Sequence, residues 1–423
     1  MQMDPLNGKR LVILGMARQG TALARFAVGV GAFVTLSDMR PADQLSAGLE
    51  SLADLPAERL HFVLGHHPFE LLDACDVLSI SGGVPVDAPI VVEARKRGIP
   101  LTNDSLEFMR RTPALVVGIT GSAGKTTTTA LVGQMGQKSN RRTWIGGNIG
   151  RPLITDLEHI SAGDLVVKEL SSFQLEIWAQ CSPPVAAILN ITPNHLDRHK
   201  TMADYAAAKG NILRFQKPDD IAILSADDPG SMAMHQLVRG RLRLFCAHHP
   251  VDDGAFVRDN QIWLKDSHGE KALCPVSTGR LLGAHNVLNT LAAVTAADSA
   301  GLPRRTPEAI ARQYFPGSLT PIGRRLRPSW VYMRRTMPIN SSSAGPTRSA
   351  NRPPGPASAI STKRAATSRA ATGRVGILGI RAMGPIVIRC DICAANSWNW
   401  VARRIDQGAD PAETSRSCAS LPA

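Results

Sequence analysis

Aromatic residues make up only 4% of this 423-residue chain, and cysteine is scarcer still, with seven scattered at positions 75, 181, 246, 274, 390, 393 and 418. An odd, dispersed set of thiols excludes a disulfide-stapled scaffold and points to a reducing compartment. Only Cys390 and Cys393 lie close together, and one C-x-x-C without a second pair or nearby histidines is poor evidence for zinc. No run approaches the roughly 18 uncharged apolar residues of a membrane-spanning helix. The opening MQMDPLNGKR, followed by LVILG, lacks the layout of a signal peptide. Secreted and membrane-spanning classes are excluded, and a cytoplasmic protein is expected.

Carboxylates are missing from one place. Residues 309–390 contain no Asp or Glu but 14 Lys and Arg, which accounts for the whole formal charge of +13. The rest of the chain is close to neutral, so the basic balance is not the signature of a nucleic-acid-binding fold. From Ser341 to Arg374, 31 of 34 residues are Ser, Ala, Gly, Pro, Thr or Arg. Such a composition buries too little surface to offset its ordering entropy. A natural basic linker and translation of a GC-rich gene in the wrong frame both produce this pattern.

What is present elsewhere is ordinary globular material, 43% apolar and 20% charged, long enough for two or three domains. Strand-like runs at 11–14, 33–37, 76–80 and 99–102 alternate with helical stretches at 21–29 and 90–97. A second series has strands at 114–119, 165–167, 185–189 and 221–224. Alternation of this kind predicts parallel sheets flanked by helices, an α/β architecture. The expected division is 1–112, 113–316 and an aberrant segment 317–423.

The strongest local signal is Gly118-Ile-Thr-Gly-Ser-Ala-Gly-Lys-Thr-Thr127, which follows a strand and opens a helix. Small residues let backbone N–H groups approach phosphate oxygens, and the helix N-terminus adds a favourable dipole. Lys125 is placed to reach the β- and γ-phosphates and the Thr126 hydroxyl to ligate Mg²⁺. Five residues separate Gly118 from Gly124, one more than the strict Walker spacing. Glu169, just past the strand 165–167, lies where α/β proteins bind ligands and suits a hard cation beside a triphosphate. His195 and His199 are four apart without the glutamate of a zinc-protease motif, so one histidine ligating beside the phosphate loop is the better reading, with His199 structural. Lys209 sits in an alanine-rich helix, ordinarily a surface position. Asn286 and Asn289 open another such helix, where asparagine is either a cap or a match for the edge of adenine. Near the start, Gly15 and Gly20 supply two of the three glycines of a dinucleotide fingerprint. Asp38 follows at a strand end, where a carboxylate can meet a ribose hydroxyl.

Taken in order, the phosphate loop, Gly-Gly-Asn-Ile-Gly (146–150), Glu-Leu-Ser-Ser-Phe-Gln (169–174), Leu-Asn-Ile-Thr-Pro-Asn-His-Leu-Asp-Arg-His (189–199), Ala-Lys (208–209) and Gly-Ala-His-Asn-Val-Leu-Asn (283–289) resemble the Mur ligases, and specifically their D-glutamate-adding branch. The resemblance covers about residues 8–317. It implies a Rossmann-like UDP-binding domain, a P-loop-type ATPase domain with a parallel-rich sheet, and ATP-dependent amide ligation in peptidoglycan precursor synthesis. The substrates would be UDP-N-acetylmuramoyl-L-alanine, D-glutamate and ATP, and the protein a cytoplasmic monomer without specific nucleic-acid or membrane partners.

Residue by residue, the resemblance implies that Gly121, Ser122, Ala123, Gly124, Lys125, Thr126 and Thr127 bind ATP, with Asn286 and Asn289 at the adenine. Thr126, Glu169, His195 and Lys209 would share two Mg²⁺ ions, Lys209 as a carbamate, and Lys125, His195 and Lys209 would be catalytic. Gly15, Arg18, Asp38, Arg40, Gly82, Asn148 and Ser171 would face the UDP-sugar substrate. Asn194 stands where the family commonly has Asp. The family's third-domain elements, an Asn-Asp-Ser-x-Ala-Thr-like stretch and a Gly-Gly-x-x-Lys stretch, are not found after Gly317. That favours the wrong-frame reading of 317–423 and the expectation that the chain ligates poorly. The alternatives are a folylpolyglutamate-synthase-like ligase and an inactive nucleotide-binding relative.

Overall fold

The computed structural model describes residues 3–276 and 283–304; the expectation about 317–423 lies outside them. The first sheet contains β1 (Arg10–Leu14), β2 (Phe33–Asp38), β3 (Leu60–Leu64), β4 (Val77–Ile80) and β5 (Leu101–Thr102). All its pairings are parallel, in the order β3-β2-β1-β4-β5. Helices α1 (Arg18–Gly29), α2 (Ser46–Glu50), α3 (Pro89–Lys96) and α4 (Asp104–Met109) connect the strands. Strand order reverses on either side of β1, the place where open α/β sheets bind ligands.

The second sheet has β6 (Leu115–Thr120), β7 (Thr143–Gly147), β8 (Leu165–Glu169), β9 (Val185–Ile188), β10 (Ile221–Ser225), β11 (Arg241–Cys246), β12 (Gly254–Arg258), β13 (Gln261–Asp266) and β14 (Gly269–Pro275). Its order is β14-β13-β12-β11-β10-β9-β6-β8-β7. The strands from β7 to β12 pair in parallel, and β13 and β14 close the edge antiparallel. Its helices are α5 (Lys125–Lys138), α6 (Ser172–Leu175), α7 (Leu196–His199), α8 (Met202–Arg214), α9 (Pro229–Met232) and α10 (Ala284–Ser299). Central strands such as β6 and β8 are buried along their length, as parallel strands covered on both faces must be. Among the described residues, no helix is long and apolar enough to cross a membrane.

Two features fix the geometry around the ligand edges. Arg243, fully buried in β11, donates to Asp253 and Asp298 at 2.8 Å each, tying the strand to α10. In α1, Leu23, Ala24, Ala27 and Val28 form the buried stripe that seats the helix on its sheet. The helix begins at Arg18, three residues before the periodic pattern predicts, because Gly20 lets its first turn rest on the β1–α1 loop. A Cβ at Gly20 would lie 1.9 Å from the Gly15 carbonyl oxygen, and one at Gly15, itself at φ +96°, would meet the Ser81 Cβ at 2.9 Å.

Gly20→Ala is therefore expected to cost about 1–3 kcal/mol of stability as an overpacking change, read as a lowered urea midpoint. Gly29→Ala, in open space at the other end of α1, is expected to leave the midpoint unchanged or raise it. Equal midpoints for Gly20→Ala and the parent would show that the loop yields freely.

Candidate functional site

The phosphate loop runs from the end of β6 into α5. Gly121 (φ +157°) and Gly124 (φ +82°) take conformations that L side chains rarely adopt, and Gly124 is the N-cap of α5 with no side-chain cap. The first-turn N–H groups of a 14-residue helix thus face the ligand edge without a capping side chain, an anion-binding arrangement. The loop is braced from two sides. Asn190, just past β9, accepts from the Ala123 N–H at 2.8 Å and donates its amide to the Ala123 carbonyl at 3.2 Å. Beneath the loop, a Cβ at Gly124 would strike Asn289 Oδ1 at 2.1 Å. Asn289 is buried in α10 and donates to Asn286 Oδ1 at 3.1 Å. The α10 N-cap is Gly283, so neither asparagine caps the helix.

Charge converges at the mouth of this loop. Lys125 Nζ donates to the carbonyls of Gly121 (2.9 Å) and Ser122 (3.2 Å). Lys209, expected on a surface from its context alone, is instead 1% exposed, and its Nζ donates to the same Gly121 oxygen at 2.9 Å. Its ammonium also stands 4.6 Å from the Tyr205 ring centroid, and the Tyr205 hydroxyl donates to Ser122 Oγ at 3.1 Å. Burial, then the Lys125 charge, lowers Lys209 to a pKa of about 7 against the opposing pull of Glu169. Burial likewise lowers Lys125. Glu169 ends β8 with both oxygens on neutral donors: Thr126 Oγ1 gives to one at 2.9 Å and Asn148 Nδ2 to the other at 3.0 Å. A buried carboxylate hydrogen-bonded only by neutral groups, facing a hydroxyl and a lysine drawn toward neutrality, suits a hard divalent cation.

His195 is exposed, at φ +53°, and packs edge-on against Phe173 with centroids 5.1 Å apart. Burial, then Lys125, pulls its pKa down, which favours the neutral imidazole a metal requires. His199 is buried: its Nε2 lies 2.9 Å from Ser172 Oγ, and its ring stacks on Phe173. That is a packing role, as the sequence reading has it. Ser171 is engaged in a capping box with Gln174 at the start of α6.

The remaining predicted residues gather at the ligand edge of the first sheet. Asp38 Oδ2 accepts from the Met16 N–H (2.7 Å) and from Arg40 Nη2 (2.9 Å). Its Oδ1 accepts from the Arg40 N–H and Nε, both at 2.9 Å. The Arg40 guanidinium holds this carboxyl well below the usual carboxylate range. All four acceptor directions of the carboxylate are thereby used within the protein. The exposed Arg40, and not Asp38 itself, presents free donors. Arg18 gives to the Gly150 carbonyl at 2.6 Å, joining this edge to the Gly-Gly-Asn-Ile-Gly turn of the second sheet. Arg198 gives to the carbonyls of Gly82 (3.2 Å) and Val84 (2.6 Å). Sequence alone assigns no role to Asn190, Tyr205 or Arg198; Asn190 and Arg198 lie inside the 189–199 motif, and Tyr205 lies one helical turn before Lys209.

The Mur ligase middle domain family matches residues 119–297, and the Mur ligase MurD-like N-terminal domain family matches 9–103. A UDP-N-acetylmuramoylalanine–D-glutamate ligase of Koribacter versatilis is 40% identical over 308 residues, 73% of this chain and 67% of that protein. One from Pelotomaculum thermopropionicum is 37% identical over 309 residues, 72% and 67% respectively. Among solved structures, a Neisseria UDP-N-acetylmuramate:L-alanyl-gamma-D-glutamyl-meso-diaminopimelate ligase shares the fold at a TM-score of 0.50 and 17% identity, covering 74% of this chain and all of that one. The chain therefore belongs to the Mur ligase family. Within it, the chain is of the UDP-N-acetylmuramoylalanine–D-glutamate ligase type, an ATP-dependent amide ligase of cell-wall precursor synthesis.

A buried lysine with no carboxylate hydrogen-bonded to it destabilises the fold wherever its folded pKa lies below the unfolded value. The unfolded chain binds the extra proton between about 7 and 10.5, so stability contributed at Lys209 rises with pH across that window. Lys209→Met is expected to stabilise the ligand-free protein by about 1–3 kcal/mol at pH 6–7, with a gain that shrinks toward pH 10. Denaturant unfolding at several pH values checks this; a pH-independent effect would contradict it.

Proposed function

We propose that the loop Gly121–Thr127, Glu169, His195 and Lys209 form one phosphoryl-transfer centre, and that the Gly15–Arg18, Asp38–Arg40 and Gly82 edge takes the uridine nucleotide of the substrate. The observation that carries this reading is the shared contact of Lys125 and Lys209 with the Gly121 carbonyl, opposite the Thr126–Glu169 pair. It brings two cationic side chains and one carboxylate to the mouth of a phosphate-binding loop.

A carboxylate is a poor electrophile, and ATP supplies the leaving group. The γ-phosphoryl passes to the L-alanyl carboxylate of the UDP-sugar, releasing ADP. The D-glutamate amine attacks the acyl carbon, a proton is lost, and phosphate departs. Lys125 turns from its loop carbonyls to the phosphates and offsets charge on the transferring group, while the α5 N-terminus orients the chain of phosphates. Thr126, Glu169, His195 and Lys209, as a carbamate, would hold two Mg²⁺ ions, which would supply neutralisation of phosphate charge. Lys209 suits carbamylation because its amine is drawn toward the neutral, nucleophilic form, and the product is an anion in place of a cation. Asn148, on Glu169, and Ser171, at the α6 cap, border the sugar-peptide end of the substrate, and Asn286 and Asn289 the base of ATP. Asn289 acts by supporting Gly124 from below. The protein works as a cytoplasmic monomer.

The division 1–112, 113–316 and 317–423 belongs to the same proposal. In it the last segment does not provide the site for the D-glutamate amine, so proximity at the acyl phosphate is lost. The 423-residue chain then binds ATP and UDP-N-acetylmuramoyl-L-alanine but releases little phosphate on addition of D-glutamate. Robust D-glutamate-dependent turnover would refute that part while leaving the phosphoryl-transfer centre standing.

Binding measurements test the centre independently of turnover. Lys125→Ala is expected to weaken ATP at least tenfold, about 1.4 kcal/mol or more, in calorimetric titration, and to leave the UDP-substrate affinity within twofold. Unchanged ATP affinity would remove Lys125 from the site.

A further inference from the structure

We propose that Asp227, Cys246 and His249 form a binding site for a transition-metal ion of the zinc class, separate from the phosphoryl-transfer centre. The three side chains come from the ligand edge of the second sheet. Asp227 lies two residues past β10, Cys246 ends β11, and His249 follows in the turn toward β12. Their ligand atoms all lie within 4.8 Å of one another. Around a tetrahedral ion with ligands at about 2.0–2.3 Å, neighbouring donors stand roughly 3.3–3.8 Å apart. Asp227 Oδ1 and Cys246 Sγ stand 3.0 Å apart, so that pair would open slightly and the exposed His249 would close on it to reach that geometry.

The two inner donors are fixed before any ion arrives. Asp227 Oδ2 accepts from the Ala247 N–H at 2.6 Å, and Asp227 Oδ1 accepts from the Cys246 thiol at 3.0 Å. The Cys246 sulfur accepts in turn from the His249 N–H at 3.4 Å. His248 Nδ1 lies 2.8 Å from the same Asp227 oxygen, an outer partner of the kind that orients a ligating carboxylate. Cys246 is fully buried and His249 is exposed, so an ion has an approach from solvent to a thiol otherwise closed in by protein.

The donor set selects the ion. One thiolate, one carboxylate and one neutral imidazole balance a divalent charge and suit Zn²⁺, whereas Mg²⁺ prefers all-oxygen octahedral surroundings. On binding, the Cys246 S–H bond breaks, the proton leaves to solvent, and the S–H···Oδ1 hydrogen bond is replaced by sulfur–metal and oxygen–metal bonds. None of these side chains takes part in the ligation chemistry above. Asp227 is, however, next to Asp228, whose Oδ1 accepts from the Ile191 N–H at 3.0 Å and so steadies the segment that carries Asn190. A bound ion would pin the ends of β10 and β11 beside that segment.

Cobalt is the probe, because a thiolate ligand gives Co²⁺ a near-ultraviolet charge-transfer band that oxygen and nitrogen sites lack. Metal-stripped full-length protein carrying Cys390→Ser and Cys393→Ser is titrated with Co²⁺. One equivalent is expected to raise the thiolate band together with the visible bands of a four-coordinate ion. Zn²⁺ is expected to abolish both, and excess Mg²⁺ to leave them. Cys246→Ser is expected to eliminate the thiolate band, and the exposed His249→Ala to weaken Co²⁺ binding at least tenfold without altering the fold. Absence of a thiolate band, or a band that survives Cys246→Ser, would overturn the proposal.

Discussion

Two ammonium groups directed at one carbonyl oxygen set the terms for the rest of the site. Lys125 and Lys209 both reach the Gly121 oxygen, and like charges this close in a poorly solvated pocket repel strongly. The protein meets the repulsion by burying Lys209 until its pKa falls to about 7 and by setting its ammonium 4.6 Å from the Tyr205 ring centroid. Glu169 supplies the compensating negative field while its oxygens stay on the neutral Thr126 and Asn148 donors. A centre arranged in this way is poorly balanced alone and better balanced with polyanionic phosphate and divalent cations.

Rigidity around that imbalance comes from groups far away in sequence. Asn190 locks Ala123 across 67 positions, and Asn289 fills the space under Gly124 from the last described helix. Both need the sheet to bring β9 and α10 beside the loop, which is why the phosphate loop itself was legible from its residues while its braces were not. The same reasoning covers the strands. Four strands of the first sheet and the centre of the second announce themselves as short apolar runs; β3 (Leu60–Leu64), with His61 and Phe62 exposed, and β7 (Thr143–Gly147), ending in two glycines, do not. The β11–β14 edge carries no such run, because charged residues interrupt β11 (Arg241, Arg243), β13 (Lys265, Asp266) and β14 (Glu270, Lys271) and end β12 (Arg258). One signal was there to use: Asp259 and Asn260, both at positive φ, form a two-residue turn with Arg258 opposite Gln261.

Lys209 shows how context reverses a local reading. On an alanine-rich helix a lysine belongs in water, yet α8 packs beneath the loop and buries its Nζ against Gly121 and Thr120. Only the order of motifs along the chain, taken as a whole, singled it out. Asp38 shows the opposite limit. Its place at a strand end suggested a ribose ligand, but its four acceptor directions are taken by Met16 and Arg40. Spacing alone points to the edge and says nothing of which atoms there are already bonded within the protein.

The two ligand edges are also linked through side chains that belong to neither chemistry. Arg198 spans from the segment bearing His195 to the Gly82 and Val84 carbonyls, while Arg18 spans from the first helix to Gly150, two residues beyond Asn148. Each is a charged donor on backbone carbonyls, a contact stronger than a hydrogen bond between neutral groups. The loop at Gly82 is thus joined by a side chain to α7, next to His195. The turn at 146–150 is joined to Glu169 through Asn148 and to α1 through Arg18. Phosphoryl transfer needs the carboxylate of one substrate and the γ-phosphate of another aligned within a fraction of an ångström. These two arginines are direct side-chain contacts between the two edges.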